Sequence, residues 1–551
     1  MKKILALVLA AVMLTALCAC GGGSTEPTGA PAAPAGTPGA EVSNTGKSEA
    51  VINSEHAYTS VICSLSSDAK TLCPYASDGG GREYTRAQCF ETLTFTNSRG
   101  EWEMVIAKNI ANPEPCVYDV EIYDYVVDQA GNPVKADDIV FSYDKFIEEG
   151  SNAAKTANLE SYEAVGDYVV RFRFKEDLKG NAQELFDKCV IVTEKAWNDS
   201  PDTMVTDPVG TGPYALTSYE GGSYYTYEYT GKYWQTNEEL ISTRSMHNVD
   251  KVTFRVYTDK STDAIALEKG ETDASGGLNY ADYITFCNPD TFEAKPGFNN
   301  DVITNNALYN LVFNCSENSP CADINLRKAI CTAIDVDACN YLGFGAGQYS
   351  SAGGYTNPVW MDYSEKVDDG EYYNYNEALA KDYLAKSDYN GEPVRMLVCQ
   401  NTSARTMATA IQAYCAAIGI KMELLEFDGA VYNEERRDET GTHWDIDFNN
   451  ERANYYAWGG LGYWSTSFYS NGLNHAYIAD EKLQSLYDAM SRTDSTEDDV
   501  VAFCNYLEEQ CYGYALTTYY QPCFTNDRFT NIVRFPQGNF ILGACSVTPD
   551  P

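Results

Sequence analysis

Two rhythms of apolar positions alternate along this chain, and around residue 400 they are clearest. Val394-Arg395-Met396-Leu397-Val398 reads as a strand, and Met407, Ile411, Tyr414, Cys415 and Ile418 then recur at helical spacing. Ser403 is a candidate N-cap for that helix, Gly419 stops it, and Ile420-Lys421-Met422-Glu423-Leu424 alternates as the next strand. Strand, helix and strand with short connections make a βαβ unit, which implies a parallel pair and an α/β layer. A second case starts with a strand over 252–257 and continues through a helix over 261–269 to Gly270. Residues 214–229 predict a hairpin turning at Gly221-Gly222, and helices are expected over 481–491 and 496–511. No internal repeat emerges.

The first residues follow a different pattern. Met1-Lys2-Lys3 precedes an apolar run over 4–17, too short to span a bilayer comfortably as a helix, which takes ~20 residues. The run ends in Leu17-Cys18-Ala19-Cys20, followed by Gly21-Gly22-Gly23-Ser24. This resembles a bacterial lipoprotein signal, with residues 1–19 removed and Cys20 the lipidated first residue of the mature chain. An ordinary secretory signal cut nearby is the alternative. A thioether-linked diacylglycerol with an amide-linked chain supplies the two anchors that stable attachment needs. Residues 21–40 are Gly, Ala, Ser, Thr and Pro apart from Glu26, so 20–50 is expected to be a leash to a body starting near residue 51.

Charge and composition remove several classes. Of 551 residues, 79 are Asp or Glu and 39 are Lys or Arg, for a formal charge of −40. A nucleic-acid binder needs the opposite balance, because Lys and Arg neutralise the phosphates. At 44% hydrophobic and 13% aromatic, with 42 tyrosines, the chain is no disordered acidic tail. Of 18 cysteines, Cys18 and Cys20 belong to the signal region, and no C-x-x-C occurs. Cys331, Cys504 and Cys511 stand at apolar helical positions, which predicts mostly buried free thiols.

Enzyme signatures are sparse. The four histidines, His56, His247, His443 and His475, have no metal-ligand spacing, and H-E-x-x-H, the P-loop and G-x-S-x-G are absent. Gly343-Phe344-Gly345-Ala346-Gly347-Gln348 begins like a dinucleotide loop and ends in Gln. Asp137-Asp138 and Asp368-Asp369 read as solvated or helix-starting acids. No catalytic residue, metal or cofactor is predicted, and no bond chemistry is expected.

Several segments, in order, carry a resemblance. They include Glu91-Thr92-Leu93-Thr94-Phe95 with Glu101-Trp102-Glu103, the stretch 118–146 with Gly131-Asn132-Pro133 and Ala136-Asp137, and Val209-Gly210-Thr211-Gly212-Pro213-Tyr214 with Tyr233-Trp234. Lys269-Gly270-Glu271-Thr272-Asp273 and Phe313-Asn314 with Arg327 to Asp335 complete the series. Together they resemble the extracellular solute-binding proteins of family 5, the peptide- and nickel-binding receptors of ABC importers. Physically these motifs read as turns, caps and apolar helix faces, so fold roles are expected of them. Asp137 is the expected capping acid of the helix that starts at Ala136.

Ligand contacts are expected elsewhere. In oligopeptide-binding relatives a segment similar to 458–468 lines the cleft, with an Asp that meets the peptide amine. Here Leu461 stands at that position. Either the ligand lacks a free amine, or another acid such as Asp445 or Asp447 serves. Tyr455, Trp458, Tyr463, Trp464 and Phe468 crowd this stretch, with Gly459 and Gly460 allowing close backbone approach. By the same resemblance, Asp78 and Gly79, in the loop after the first strand, are candidates.

The resemblance implies a two-lobed periplasmic-binding-protein-like α/β fold of type II, in the large cluster with an extra N-terminal domain. One lobe would comprise 51–95, 205–300 and 515–551, the other 301–514, with 96–204 as the accessory domain. The expected protein is a monomer on the outer face of the cell membrane that captures a small solute, foremost a peptide, by hinge closure and delivers it to an ABC permease. A glycan, a metal chelate or another small molecule is the alternative ligand. A sensory lipoprotein or surface enzyme is the alternative of a different class.

Overall fold

In the computed structural model, strand Val394–Cys399 pairs in parallel with Met422–Phe427, as the apolar pattern predicts. The helix between them, Thr402–Ile418, buries Met407, Ile411, Tyr414, Cys415 and Ile418. Its N-cap is Asn401 and not Ser403. The Asn401 side chain accepts from the Ala404 N–H at 2.8 Å, which leaves Ser403 inside the first turn. Gly419 closes the helix at φ 101°, a left-handed position that favours glycine.

The structure describes residues 57–550 apart from 77–81, 99, 149–155, 353, 368–372, 439, 454, 466–475 and 537. Cys20, the linker, Asp78, Gly79 and Phe468 therefore lie outside the described residues, as do all of residues 1–45. Residues 46–551 form one contact unit.

The parallel pair lies at one edge of an eleven-stranded sheet. From that edge the order is Met422–Phe427, Val394–Cys399, Ile446–Arg452, Phe298–Phe313, Gly513–Asn526, Ala274–Ser275, Ser60–Leu65, Lys251–Val256, Tyr224–Tyr229 and Tyr214–Glu220, and the eleventh strand, Tyr349–Ser351, pairs with Gly513–Asn526 off that path. Tyr214–Glu220 and Tyr224–Tyr229 form the predicted hairpin. Two long antiparallel strands, Phe298–Phe313 and Gly513–Asn526, carry the sheet from one half to the other. Their register shifts between Thr304 and Leu308. At that irregularity Asn305 donates to Gln521 at 2.6 Å, and Asn357 donates to the Asn305 and Ala307 carbonyls. A bulge in a central pair bends the strand and increases its twist.

A separate four-stranded antiparallel sheet is ordered Ala107–Glu114, Val117–Ile122, Val169–Phe174 and Leu159–Gly166, and helix Ala136–Glu148 packs on it. The capping acid of that helix is Asp138, not Asp137. Its carboxylate accepts the Lys135 and Glu194 N–H groups, a geometry available one position further into the turn. Val61, Phe254 and Leu542 share one apolar core with Ile106, Phe172 and Phe186 of this sheet region. A second core gathers Leu308, Trp458, Leu461, Trp464, Tyr487 and Phe503.

The motifs behind the resemblance have roles in the fold. Glu91 is buried and accepts from Tyr233 Oη at 2.5 Å, Trp234 Nε1 at 2.9 Å and the Ser245 hydroxyl. A Cβ at Gly210 or Gly212 would run into the Cys89 carbonyl, so those positions require glycine. Arg327 donates to the carbonyls of Cys321, Ala322, Gln510 and Cys511. The described cysteines are free and most are buried. Cys511 lies beyond the end of helix Glu497–Glu509, at φ +53°, rather than on it. Among the described residues no helix is long and apolar enough to cross a membrane.

Candidate functional site

Segments far apart in sequence meet around one cavity of about 50 Å³, whose lining includes Arg86, Phe95, Asp187, Lys188, Arg244 and Tyr455. Helix Arg82–Cys89 presents Arg86, strand Thr94–Thr96 presents Phe95, and helix Asn181–Lys188 ends on the acid and the lysine. Tyr455 arrives from the connection after strand Ile446–Arg452.

Asp187 organises the cavity wall. Its Oδ1 accepts from Thr94 Oγ1 at 2.5 Å, and its Oδ2 accepts from Thr96 Oγ1 at 2.5 Å and from Tyr455 Oη at 2.7 Å. Gln183 supports the arrangement by donating to Thr96 Oγ1 at 2.7 Å. Burial pushes the Asp187 carboxyl above its ordinary value, and the three hydroxyl donors offset only part of that push. Burial, then the charge of Asp187, lifts the Tyr455 phenol well above its ordinary value. Arg86 Nη1 donates to the Pro74 carbonyl and Arg244 Nη2 to the Phe90 carbonyl, so two guanidinium groups are fixed by backbone beside the cavity. The cavity thus combines three cationic side chains with one carboxylate held by hydroxyls.

Further contacts join the same segments away from the cavity. Trp458 Nε1 donates to the Lys179 carbonyl at 2.8 Å, Lys179 Nζ lies 5.4 Å from the Tyr456 ring centroid, and Lys179 N donates to the Ser491 carbonyl. Thr493 Oγ1 donates to Asp177 at 2.7 Å, and Leu178 is buried in the second core. Gly180 sits at φ 71°, and a Cβ there would run into the Tyr456 ring.

Of the ligand contacts expected from the sequence, Tyr455 reaches the cavity. Trp458, Leu461 and Trp464 are buried in the second core, with Trp458 O accepting from Tyr487 and Trp464 Nε1 donating to the Tyr512 carbonyl. Gly460 packs its backbone on Ala453, where a Cβ would come within 3.0 Å, while Gly459 is exposed with nothing near its α-carbon substituent position. Tyr463 is half-buried under the Arg436 guanidinium, 4.7 Å from its ring centroid. Asp445 is paired with Arg395 and accepts from Ser319. Asp447 accepts from Tyr432 Oη at 2.6 Å. Neither acid lines the cavity. The sequence reading passed over Arg86, Asp187, Lys188 and Arg244. In a chain so poor in basic residues three cations around one cavity are notable, but only the fold brings them together.

Comparison with known proteins gives a consistent result. The family model described as bacterial extracellular solute-binding proteins, family 5 Middle, matches residues 108–472. The Dipeptide-binding protein of Escherichia coli (strain K12) is 24% identical over 363 residues, covering 59% of this chain and 62% of its own. The chain spans roughly half to three-fifths of the length of such curated relatives. Among solved structures, the oligopeptide-binding protein AppA of Bacillus subtilis, in complex with a nonapeptide, superposes with a TM-score of 0.70 at 17% identity, covering 90% of this chain and 100% of that one. AgaA of A. tumefacien R10, in complex with agropinic acid, gives 0.71 at 20% identity, covering 89% and 99%. These likenesses establish the two-lobed binding-protein fold, and these relatives are binding proteins rather than enzymes. With the family model matching well over half of its residues, the chain belongs to the bacterial extracellular solute-binding proteins of family 5.

Proposed function

We propose that this protein is the substrate-binding component of an ABC importer, taking a peptide into the seam where Tyr455 meets Asp187 and passing it to a membrane permease. The observation that carries this reading is the cavity itself, closed by a residue from 301–514 against walls of both charge signs from the rest of the body. A peptide presents an ammonium and a carboxylate, and charge-assisted hydrogen bonds to such groups are the strong ones. A water needs ~10–15 Å³, so a 50 Å³ space takes a few waters and no dipeptide. Entry therefore requires the lobes to part, with 51–95, 205–300 and 515–551 on one side, 301–514 on the other and 96–204 as the accessory domain. The irregularity between Thr304 and Leu308 in the long central strands is the proposed hinge.

In this reading Tyr455 is a direct contact. Asp78, Gly79, Gly459, Gly460, Tyr463 and Phe468 border the opened cleft, while Trp458, Leu461 and Trp464 stiffen its wall from behind. Cys20 carries the lipid that holds the protein, as a monomer, on the outer face of the membrane. The ligands named for the Escherichia coli and Bacillus subtilis relatives support a peptide; the agropinic acid complex of AgaA supports a non-peptide solute as the second reading.

Mass spectrometry of small molecules released from gently purified protein separates the two. A mixture of peptides supports the first, and one defined non-peptide supports the second. Turnover of any bound compound would overturn both. Metabolic labelling with a fatty acid, lost in Cys20→Ser, tests the anchor.

A further inference from the structure

A second cavity, of about 270 Å³, lies at the start of helix Val336–Phe344, where its lining includes Asp335, Ser351, Tyr373, Glu508 and Tyr514. Tyr373 lines this cavity, its hydroxyl donates to the Glu508 carbonyl, and it is one of the groups that act on the Cys511 thiol. Cys331, on helix Ile324–Ala333, faces Cys511 with the two Sγ atoms 3.6 Å apart, and both residues are buried. From this juxtaposition we propose that Cys331 and Cys511 are an oxidisable pair, converted to a disulfide by a peroxide that arrives through the cavity beside Tyr373.

The two sulfurs are not equivalent. Burial opposes ionisation of Cys511, yet the hydrogen bond from Cys331, the charge of Arg327 and Tyr373 together hold its thiol below the ordinary value. Burial pushes the Cys331 thiol well above its own. Arg327 is fixed beside them, its Nε donating to the Cys511 carbonyl at 2.7 Å. With Arg327 and Tyr373 both placed against it, Cys511 is assigned as the nucleophile and Cys331 as the resolving thiol. The Cys511 thiolate attacks one peroxide oxygen, the O–O bond breaks, and sulfenic acid and hydroxide form. The Cys331 sulfur then displaces the hydroxyl from Cys511; the S–S bond forms and water leaves, carrying the Cys331 proton. Two thiols give up two electrons, and one peroxide becomes two waters. A bonded pair sits at about 2.05 Å, so the sulfurs must close by roughly 1.5 Å. Cys511 lies in the turn past its helix, where its N–H donates to the Glu508 carbonyl at 2.8 Å, so such a shift falls on a bond at the helix end rather than on the helix interior. The new bond would tie helix Ile324–Ala333 to the turn that feeds the long strand Gly513–Asn526, across 180 residues of sequence.

The test uses the full chain, purified under reductant, desalted, treated with a few equivalents of hydrogen peroxide, alkylated and digested. Expected are a Cys331–Cys511 linked peptide, an intact mass lower by about 2 Da, and loss of two free thiols per chain. In Cys331→Ser, dimedone should label Cys511, because no resolving thiol remains. Peroxide that leaves wild-type Cys331 and Cys511 unlinked, or that oxidises other cysteines of the folded chain first, overturns the proposal. Absence of dimedone on Cys511 in the folded variant overturns the assignment of the nucleophile.

Discussion

Glu91 and Asp187 are both buried carboxylates, both lifted above their ordinary range by burial, and both held by three donors. They differ in where the donors come from. Tyr233 and Trp234 pack with the first core, and Ser245 sits directly beside them, so all three donors to Glu91 move as one body. Asp187 takes two hydroxyls from Thr94 and Thr96 and the third from Tyr455, 268 residues away. The same chemistry is a fixture in the first case and a seam in the second. A saturated buried acid reports on folding when its partners belong to one core and, in the proposed two-lobed reading, on closure when they come from different lobes.

The largest expected effect removes the fixture. Glu91→Ala leaves the Tyr233, Trp234 and Ser245 donors buried without an acceptor, at about 1–3 kcal/mol for each unsatisfied group. Urea unfolding should show a loss of about 3–5 kcal/mol. A loss below about 1 kcal/mol would mean that the pocket relaxes or admits water, and the contrast with Asp187 would weaken.

Gly180→Val should come next. It places a side chain against the Tyr456 ring at a left-handed position, which costs about 1–3 kcal/mol. Because Gly180 lies where Lys179 and Leu178 dock on Trp458 and the second core, the expected readout is a larger radius of gyration in solution scattering before any loss of secondary structure. Unchanged scattering with lowered thermal stability would place this contact inside one rigid body.

A pair of hydroxyl deletions sharpens the comparison further. Tyr233→Phe and Tyr455→Phe each remove one donor to a buried acid, worth about 1.5–3 kcal/mol. For Tyr233 the loss should appear in global unfolding. For Tyr455 it should appear as faster limited proteolysis in the seam at nearly unchanged unfolding midpoint. Equal effects in both assays would remove the distinction.

These regions also differ in how far the sequence discloses them. The parallel unit over 394–427 depends on local periodicity and a glycine stop, both visible in a short window. Even the misplaced cap is a local matter, since Asn401 and Ser403 are both capping residue types two positions apart. The aromatic crowd near 455–464 is legible as a place where something is built, but not as to which rings face inward. Trp458 and Trp464 went to the core, where a large ring removes the most area from water and its indole N–H finds a carbonyl. Tyr455 went to the seam because its hydroxyl meets Asp187. Arg86, Asp187 and Arg244 carry no local signal at all, since their neighbours in space come from segments brought together only by long-range sheet pairing. Likewise the Cys331–Cys511 contact spans 180 residues and shows in no spacing.

The smallest effect is the most specific to the seam. The Asp187 carboxyl is raised in the folded protein, so the native state holds its proton more tightly than the unfolded chain does. Its contribution is fully present below the ordinary carboxylate value of 3.8 and is lost as pH rises through the raised one. Other buried acids, Glu91, Asp263 and Asp447 among them, are raised in the same direction and give the whole protein a similar slope. Asp187→Asn removes one titrating group while retaining an oxygen to accept from the hydroxyls, so those shared slopes cancel in the difference. Wild-type stability minus that of Asp187→Asn, measured by urea unfolding in steps from about pH 4 to pH 7, should fall as pH rises. A difference that is flat or rises would mean that Thr94, Thr96 and Tyr455 stabilise the ionised form more than burial penalises it. The folded protein would then favour the ionised acid, the form that a cationic ligand group needs.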